Sequence, residues 1–339
     1  MMLADRQICC GCASCAQVCP QNCISMVEDA EGFPHPAIDA SRCIDCGKCG
    51  EVCPALHKRD ARLPEAVYAA VNCDDAVRSA SSSGGIFSLL ASKVIEKGGA
   101  VFGARFNGQW EVEHGAAATQ EECVAFRGSK YVQSRMGDSF NQVAKLLEEG
   151  RIVLFSGTPC QIAAINLYPL PQRENLLTVD VVCHSVPSPG VWRDYLNEVA
   201  GGTGNVGDVN FRDKSTGWRN FSLTIKGRDG RVLLSERCSD NAYMQDFLKN
   251  RNIRPSCFSC PAREGRSGSD ITIADFWGIA RTHPELDDNG GTGLVMINTG
   301  KGRKAFQEIE ESGSIRFAEA LYEQAVARNR AIVGDPEKP

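Results

Sequence analysis

Eight of the 17 cysteines in this 339-residue chain fall into two copies of one pattern. The first copy runs Cys9-x2-Cys12-x2-Cys15-x3-Cys19-Pro20 and the second Cys43-x2-Cys46-x2-Cys49-x3-Cys53-Pro54. Each position of the second copy lies 34 residues beyond its partner in the first, so the repeated feature is the set of thiols itself. A chain of this length builds its own apolar core and needs no disulfide staples. Its opening stretch, Met1 to Arg6, lacks the apolar core of a secretory signal. A reducing, cytoplasmic setting is therefore expected, where clustered cysteines serve as metal ligands or redox groups. The net charge of −5 argues against nucleic-acid binding by phosphate neutralisation. No apolar run reaches the roughly 18 residues of a membrane helix.

The spacing is that of bacterial ferredoxins carrying two [4Fe-4S] clusters. Three close cysteines wrap one corner of a cubane, and the fourth, before a proline, points toward the other cluster. The expected ligand sets are Cys9, Cys12, Cys15 and Cys53 for one cluster, and Cys43, Cys46, Cys49 and Cys19 for the other. The fourth cysteine is expected to start a short helix. Zinc is the alternative, since four-cysteine sets also bind it, but zinc needs only two CxxC pairs, without a third cysteine and a following proline. Cys10 sits inside the ligand loop and Cys23 in the expected helix after Cys19; both read as small packing residues.

Residues 1–60 form the dicluster unit, too short and polar to hold a large core, so the clusters would fix its fold. After the polar connector Lys58–Pro64, strands are expected at Val67–Val71, Ala100–Phe106, Glu111–Ala117, Arg151–Phe155, Leu176–Cys183, Asp270–Phe276 and Leu294–Asn298. Helices are expected at Ile86–Lys97, Ser139–Glu149, from Cys160 through Leu167, Val191–Val199 and Arg303–Glu311. The segment 206–237 reads as strand-rich, with Arg228-Asp229-Gly230 as a hairpin turn. The fold class is therefore mixed α/β (α+β): a small ferredoxin-like domain followed by a larger mixed α/β domain over 64–339, with parts at about 64–150 and about 151–325. The formal GxGxxG at Gly202–Gly207 follows a helix and precedes a strand, the reverse of the dinucleotide fingerprint, and reads as a loop.

Seven cysteines remain. Cys160 follows a strand and the turn Gly157-Thr158-Pro159, Cys183 ends a strand before His184, and Cys257-Phe258-Ser259-Cys260-Pro261 is a CxxC in a polar loop. Strand ends in α/β sheets converge on one edge, so these four are candidates for a third cluster. They also read as two buried small residues and a zinc half-site or dithiol. Cys73, Cys123 and Cys238 read as structural.

Seven stretches carry a resemblance that spans almost the whole chain: Ser82-Ser83-Gly84-Gly85, Arg127–Val132, Gly157–Ile162, Val182–Pro189, Phe211–Lys214, Arg254–Cys260 and Ser269–Gly278. Together they resemble the beta subunits of coenzyme F420-reducing hydrogenase and related F420-dependent dehydrogenases, fused to a dicluster ferredoxin. One departure is Ser185, where many relatives carry glycine. The resemblance implies FAD and a [4Fe-4S] cluster in the larger domain, the latter on Cys160, Cys183, Cys257 and Cys260. For the flavin it implies a pyrophosphate site at Ser83, Gly84 and Gly85 before a helix. Ser129 and Lys130 then become candidates near phosphate or reduced flavin, and Asp275 a candidate for ribose or a flavin edge. His184 reads as a structural histidine rather than a proton donor.

Flavin exchanges two electrons as hydride or single electrons, and a cluster moves one at a time. A chain holding both converts between the two kinds of carrier. The implied function is a cytoplasmic flavin and iron–sulfur oxidoreductase, acting on F420 or another small organic substrate and served by a ferredoxin or other electron-transfer subunit. A non-catalytic electron-relay subunit of a larger complex is the alternative. No nickel-iron hydrogenase motif is visible in the chain.

Overall fold

The computed structural model describes residues 3–339; Met1 and Met2, part of the stretch read for a secretory signal, lie outside the described residues. In the N-terminal unit each short helix, Ser14–Gln17 and Lys48–Glu51, carries the third cysteine of its copy and ends before the fourth. The expectation that the fourth cysteine starts a helix is therefore corrected: Cys19 and Cys53 follow the helices. Cys23 is not helical either and directly precedes strand β1 (Ile24–Glu28), which pairs antiparallel with β2 (Pro34–Ile38). Each helix is a single turn that ends inside the spacer after the third cysteine, and each cysteine-proline step then turns the chain away.

The main sheet is built from β3 (Ala66–Asn72), β4 (Ala100–Phe106), β5 (Val112–Ala117), β6 (Val153–Gly157) and β7 (Leu176–Val181). A three-stranded antiparallel sheet follows, of β8 (Val206–Asp213), β9 (Ser222–Gly227) and β10 (Val232–Arg237). The chain then returns to the main sheet with β11 (Ile271–Asp275), β12 (Gly293–Ile297) and β13 (Ile315–Glu319). The resulting order is β13-β3-β12-β11-β7-β6-β4-β5. Strands β4, β6, β7 and β11 pair in parallel, and β12 runs antiparallel to both β11 and β3. Strand β3 therefore runs with the parallel set, and five strands present their carboxyl ends to one edge.

Central strands of such a sheet are apolar on both faces, and β6 shows why. Val153 and Phe155 face one side, with Phe102, Phe140, Ile162, Tyr168 and the N-terminal unit's Cys10, Cys12 and Val52. Leu154 faces the other, with Leu90, Val179, Ile271 and Phe306 from helices Ile86–Glu96 and Gly300–Glu311 and from neighbouring strands. The small sheet packs on helices Pro189–Ala200 and Ala242–Leu248 around the fully buried Trp192 and Phe211.

The N-terminal unit docks on the first face through polar as well as apolar contacts. Glu28 meets Arg135 and Arg193, which also share Glu111. The amide of Phe140 donates to Gln17 Oε1 at 2.8 Å, and the amide of Gly190 donates to the Glu31 carbonyl at 3.1 Å. No helix among the described residues is long and apolar enough to cross a membrane.

Phe155 holds the first face together, with ring centroids 5.9 Å from Phe102, 5.6 Å from Phe140 and 5.5 Å from the His114 ring. Phe155→Ala is expected to cost about 3–5 kcal/mol, measured by urea unfolding of the anaerobic protein.

Candidate functional site: thiols and a cradle on one sheet edge

Strand β6 ends at Gly157, and a capping box then starts the helix Pro159–Leu167: the Thr158 amide donates to Gln161 Oε1 at 2.9 Å. This fixes Cys160 in the first turn, above the carboxyl edge. Cys183 lies two residues beyond β7, and Cys257 and Cys260 lie at the 3₁₀ turn Pro255–Ser259. The structure brings these four thiols together from three segments. Burial, then repulsion from Cys257, Cys160 and Cys260, pushes the Cys183 thiol well above its ordinary range. Burial first, then Cys160 and Cys260, lifts Cys257 to about 12. Four such thiols cannot ionise side by side alone; bound iron would supply the missing positive charge and draw off the protons. The Ser185 hydroxyl, buried two residues from Cys183, has no hydrogen-bond partner, as expected of a donor aimed at cluster sulfur. The donor set fits a cluster.

The repeated cysteines are also gathered as two groups, each with one member from the other copy. Cys15 is raised by burial and then by Cys12, Cys9 and Cys53. Cys19, Cys43, Cys46 and Cys49 ring one hollow with Cys23, Ile24, Ile38 and Ile44.

Two cysteines read as packing residues sit inside this arrangement. Cys23 Sγ lies 3.4 Å from Cys19 Sγ, four residues away in sequence. Cys10 lies within hydrogen-bonding reach of both Cys12 and Cys160, joining the first repeated set to the set on the sheet edge. Hydrogen bonding with Cys10, the largest influence on each, lowers Cys12 to about 6 and lowers Cys160 as well. Adjacency to a ligand position was the only sequence signal for Cys10. The other cysteines stand apart: Cys73 is exposed, Cys123 lies in the opposite core, and Cys238 packs against the small-sheet core.

The same edge carries the Ser-Gly-Gly turn. Gly84 lies against β3 and β12, where an added Cβ would sit 2.3 Å from the Ala70 carbonyl and 2.5 Å from the Gly293 nitrogen. Gly85, at φ +79°, starts the helix Ile86–Glu96 with no side-chain cap, leaving its first amides free. The Ser83 hydroxyl donates to the Thr292 carbonyl at 2.7 Å. Ser129 and Ser82 are joined by their hydroxyls at 2.8 Å and by the Ser129 amide, which donates to Ser82 Oγ at 2.7 Å. Lys130 is neither solvated nor free: its ammonium donates to the carbonyls of Ala125, Arg127 and Gly128, and burial lowers its basicity. Asp275 is likewise engaged, accepting from both Arg212 nitrogens at 3.0 Å and from Trp218 Nε1 at 2.8 Å. Lys130 and Asp275 thus brace the cradle. His184 Nε2 lies 2.7 Å from Asn250 Oδ1, a structural contact.

Comparison with known proteins agrees with this layout. The family model for the C terminus of the coenzyme F420 hydrogenase/dehydrogenase beta subunit matches residues 150–321. The 4Fe-4S dicluster domain model matches residues 8–56. A chain of the xenon-derivatised F420-reducing [NiFe] hydrogenase complex from Methanosarcina barkeri superposes with a TM-score of 0.54 at 17% identity, covering 76% of this chain and 83% of that one, which shows a shared fold. No curated protein matches.

His114, under the end of β6, donates one hydrogen bond from Nε2 to the Ser156 carbonyl, 3.0 Å away. Burial lowers it from 6.5 to about 4. The unfolded chain therefore takes up this proton first, and the stability that the neutral ring contributes is lost as pH falls from 6.5 toward 4. His114→Gln is expected to flatten the fall of the unfolding midpoint in that window, read from denaturant titrations at successive pH values.

Proposed function

The chain belongs to the coenzyme F420 hydrogenase/dehydrogenase beta subunit family, and from that premise we propose that it is a flavin and iron–sulfur oxidoreductase converting between hydride and single-electron carriers. The observation that carries this reading is the convergence of Cys160, Cys183, Cys257 and Cys260 on the sheet edge that also bears the Ser83-Gly84-Gly85 turn. We assign three [4Fe-4S] clusters, on Cys9, Cys12, Cys15 and Cys53, on Cys43, Cys46, Cys49 and Cys19, and on Cys160, Cys183, Cys257 and Cys260. We assign residues 1–60 to the dicluster domain and 64–339 to the flavin domain, in a cytoplasmic protein.

When bound, FAD supplies two-electron chemistry and the clusters one-electron steps. The protein's residues position both. The free amides at the start of the helix after Gly85 would hold the pyrophosphate, and Gly84, lacking a Cβ, lets the turn that carries them pack against β3 and β12. Ser82, Ser129 and Lys130 hold the facing loop, and Asp275 orients Arg212 beneath it. Strands β3 and β7 are three strand spacings apart, about 14 Å, so an FAD held at the turn would lie along the same edge as the thiols beyond β7. Cys10 lies between Cys160 and Cys12, so a cluster on the third set would be a one-electron carrier beside the first repeated set, and a ferredoxin-like partner would exchange electrons with the repeated sets. The organic substrate is F420 or another small hydride carrier.

Anaerobically purified protein is expected to contain iron, acid-labile sulfide and releasable FAD. Reduced F420, NADPH and reduced ferredoxin, added in turn, identify the donor by which one bleaches the flavin. Cys160→Ser is expected to remove one cluster's worth of iron and to stop electrons reaching the N-terminal clusters while leaving flavin bleaching intact. Protein lacking iron and sulfide overturns the reading.

A further inference from the structure

The guanidinium of Arg254 is fully buried and forms no ion pair among the described residues. Every acceptor it meets is neutral. Its Nε donates to the Cys9 carbonyl at 2.6 Å, Nη1 to Gln133 Oε1 at 2.9 Å, and Nη2 to the Pro34 carbonyl at 3.0 Å, with His35 Nδ1 at 3.2 Å. The Phe33 ring lies beside it, 5.4 Å from Cζ. The Asp29 carboxylate reaches only the far side of His35, at Nε2. The hydrogen bonds satisfy the N–H groups but leave the charge itself uncompensated, which is costly in a buried site.

The anions that could offset it are sulfur. Arg254 holds the Cys9 carbonyl of the first set through Nε, and its own carbonyl accepts from the Cys257 amide of the third set at 3.0 Å. The ligand loop is shaped to admit it: at Gly11, φ +68°, a Cβ would sit 2.5 Å from Gln133 Nε2 and 2.8 Å from Arg254 Nη1. Gln133 in turn donates to the Cys10 carbonyl at 3.0 Å. Arg254 therefore reaches from the loop carrying Cys257 and Cys260 into the loop carrying Cys9 and Cys12.

We propose that Arg254 is the shared counter-charge of the clusters on Cys9, Cys12, Cys15 and Cys53 and on Cys160, Cys183, Cys257 and Cys260, and that it raises the reduction potentials of both. This rests on the cluster assignment above. A cluster with four thiolates is an anion, and one incoming electron adds a negative charge without making or breaking a bond. A fixed cation in a low-dielectric setting favours the reduced form. None of Arg254's hydrogen bonds among the described residues goes to the loops of Cys43, Cys46, Cys49 and Cys19, so Arg254 would make the two inner clusters the resting place for an electron in transit. It is a positioning residue for charge, not a catalytic one.

The test is an anaerobic redox titration of the full chain, followed by electron paramagnetic resonance, which reads each cluster apart from turnover. Arg254→Gln is expected to shift two of three potentials to more negative values and leave the third in place; Arg254→Lys, which keeps the charge, restores them in large part. If Arg254→Gln does not accumulate folded, Gln133→Glu serves instead: it sets a carboxylate against the guanidinium and is expected to lower the same two potentials. Potentials unchanged in the variant that folds, or all three shifted alike, overturn the proposal. Wild-type protein without iron or sulfide would instead end the cluster assignment itself.

Discussion

Buried sulfur is the constraint on which this architecture depends. Burial, and then neighbouring cysteines, raises the proton affinity of Cys183 and Cys257 on the sheet edge and of Cys15 in the first repeated set. Nothing in an apolar core rewards packing ionisable thiols side by side. The backbone that holds them there is ordered by other means: a capping box under Cys160, a proline-led 3₁₀ turn at Cys257, and short helices that carry the third cysteine of each repeat. The protein matrix thus prepares a low-dielectric, ligand-rich setting in which only a positively charged inorganic core makes the arrangement favourable.

The sheet converts that constraint into a line. Five strands send their carboxyl ends to one edge, and the chain segments leaving β3, β6, β7 and β11 there carry the glycine turn, Cys160, Cys183 and Asp275 in turn. The N-terminal unit docks over the same region, through Glu28 with its two arginines and through Cys10 between Cys12 and Cys160. A surface of this kind, rigid underneath and variable in its loops, is where α/β folds place ligands.

Much of this was legible in the sequence. The cysteine repeat stands out because ligand spacing is local, and the alternating apolar runs of β4, β6, β7 and β11 stand out because parallel strands are buried on both faces. The mixed α/β class and the family followed from the same residues. What escaped is what depends on tertiary pairing. Strands β1, β2 and β13 are short, half-exposed edge elements with no strong period of two. The helix assigned after Cys19 lies before it, since boundary residues carry little local signal. Lys130 and Asp275 read as groups reaching for a ligand, yet each is engaged by neighbours distant in sequence or by the local backbone. Cys10 and Arg254 drew no role, because Cys160 lies far from Cys10 in sequence and Cys9 far from Arg254.

The strand order also bears on how the molecule is made. Strand β3 is flanked by β12 and β13, so after it leaves the ribosome roughly 220 further residues must be synthesised before its first neighbour exists. At ~5–20 residues per second that is a wait on the order of 10–40 s. The cysteine repeat is complete within the first sixth of the chain, and the apolar face it docks against ends at Leu176, about halfway along. The last strand to arrive closes the sheet beside one of the first.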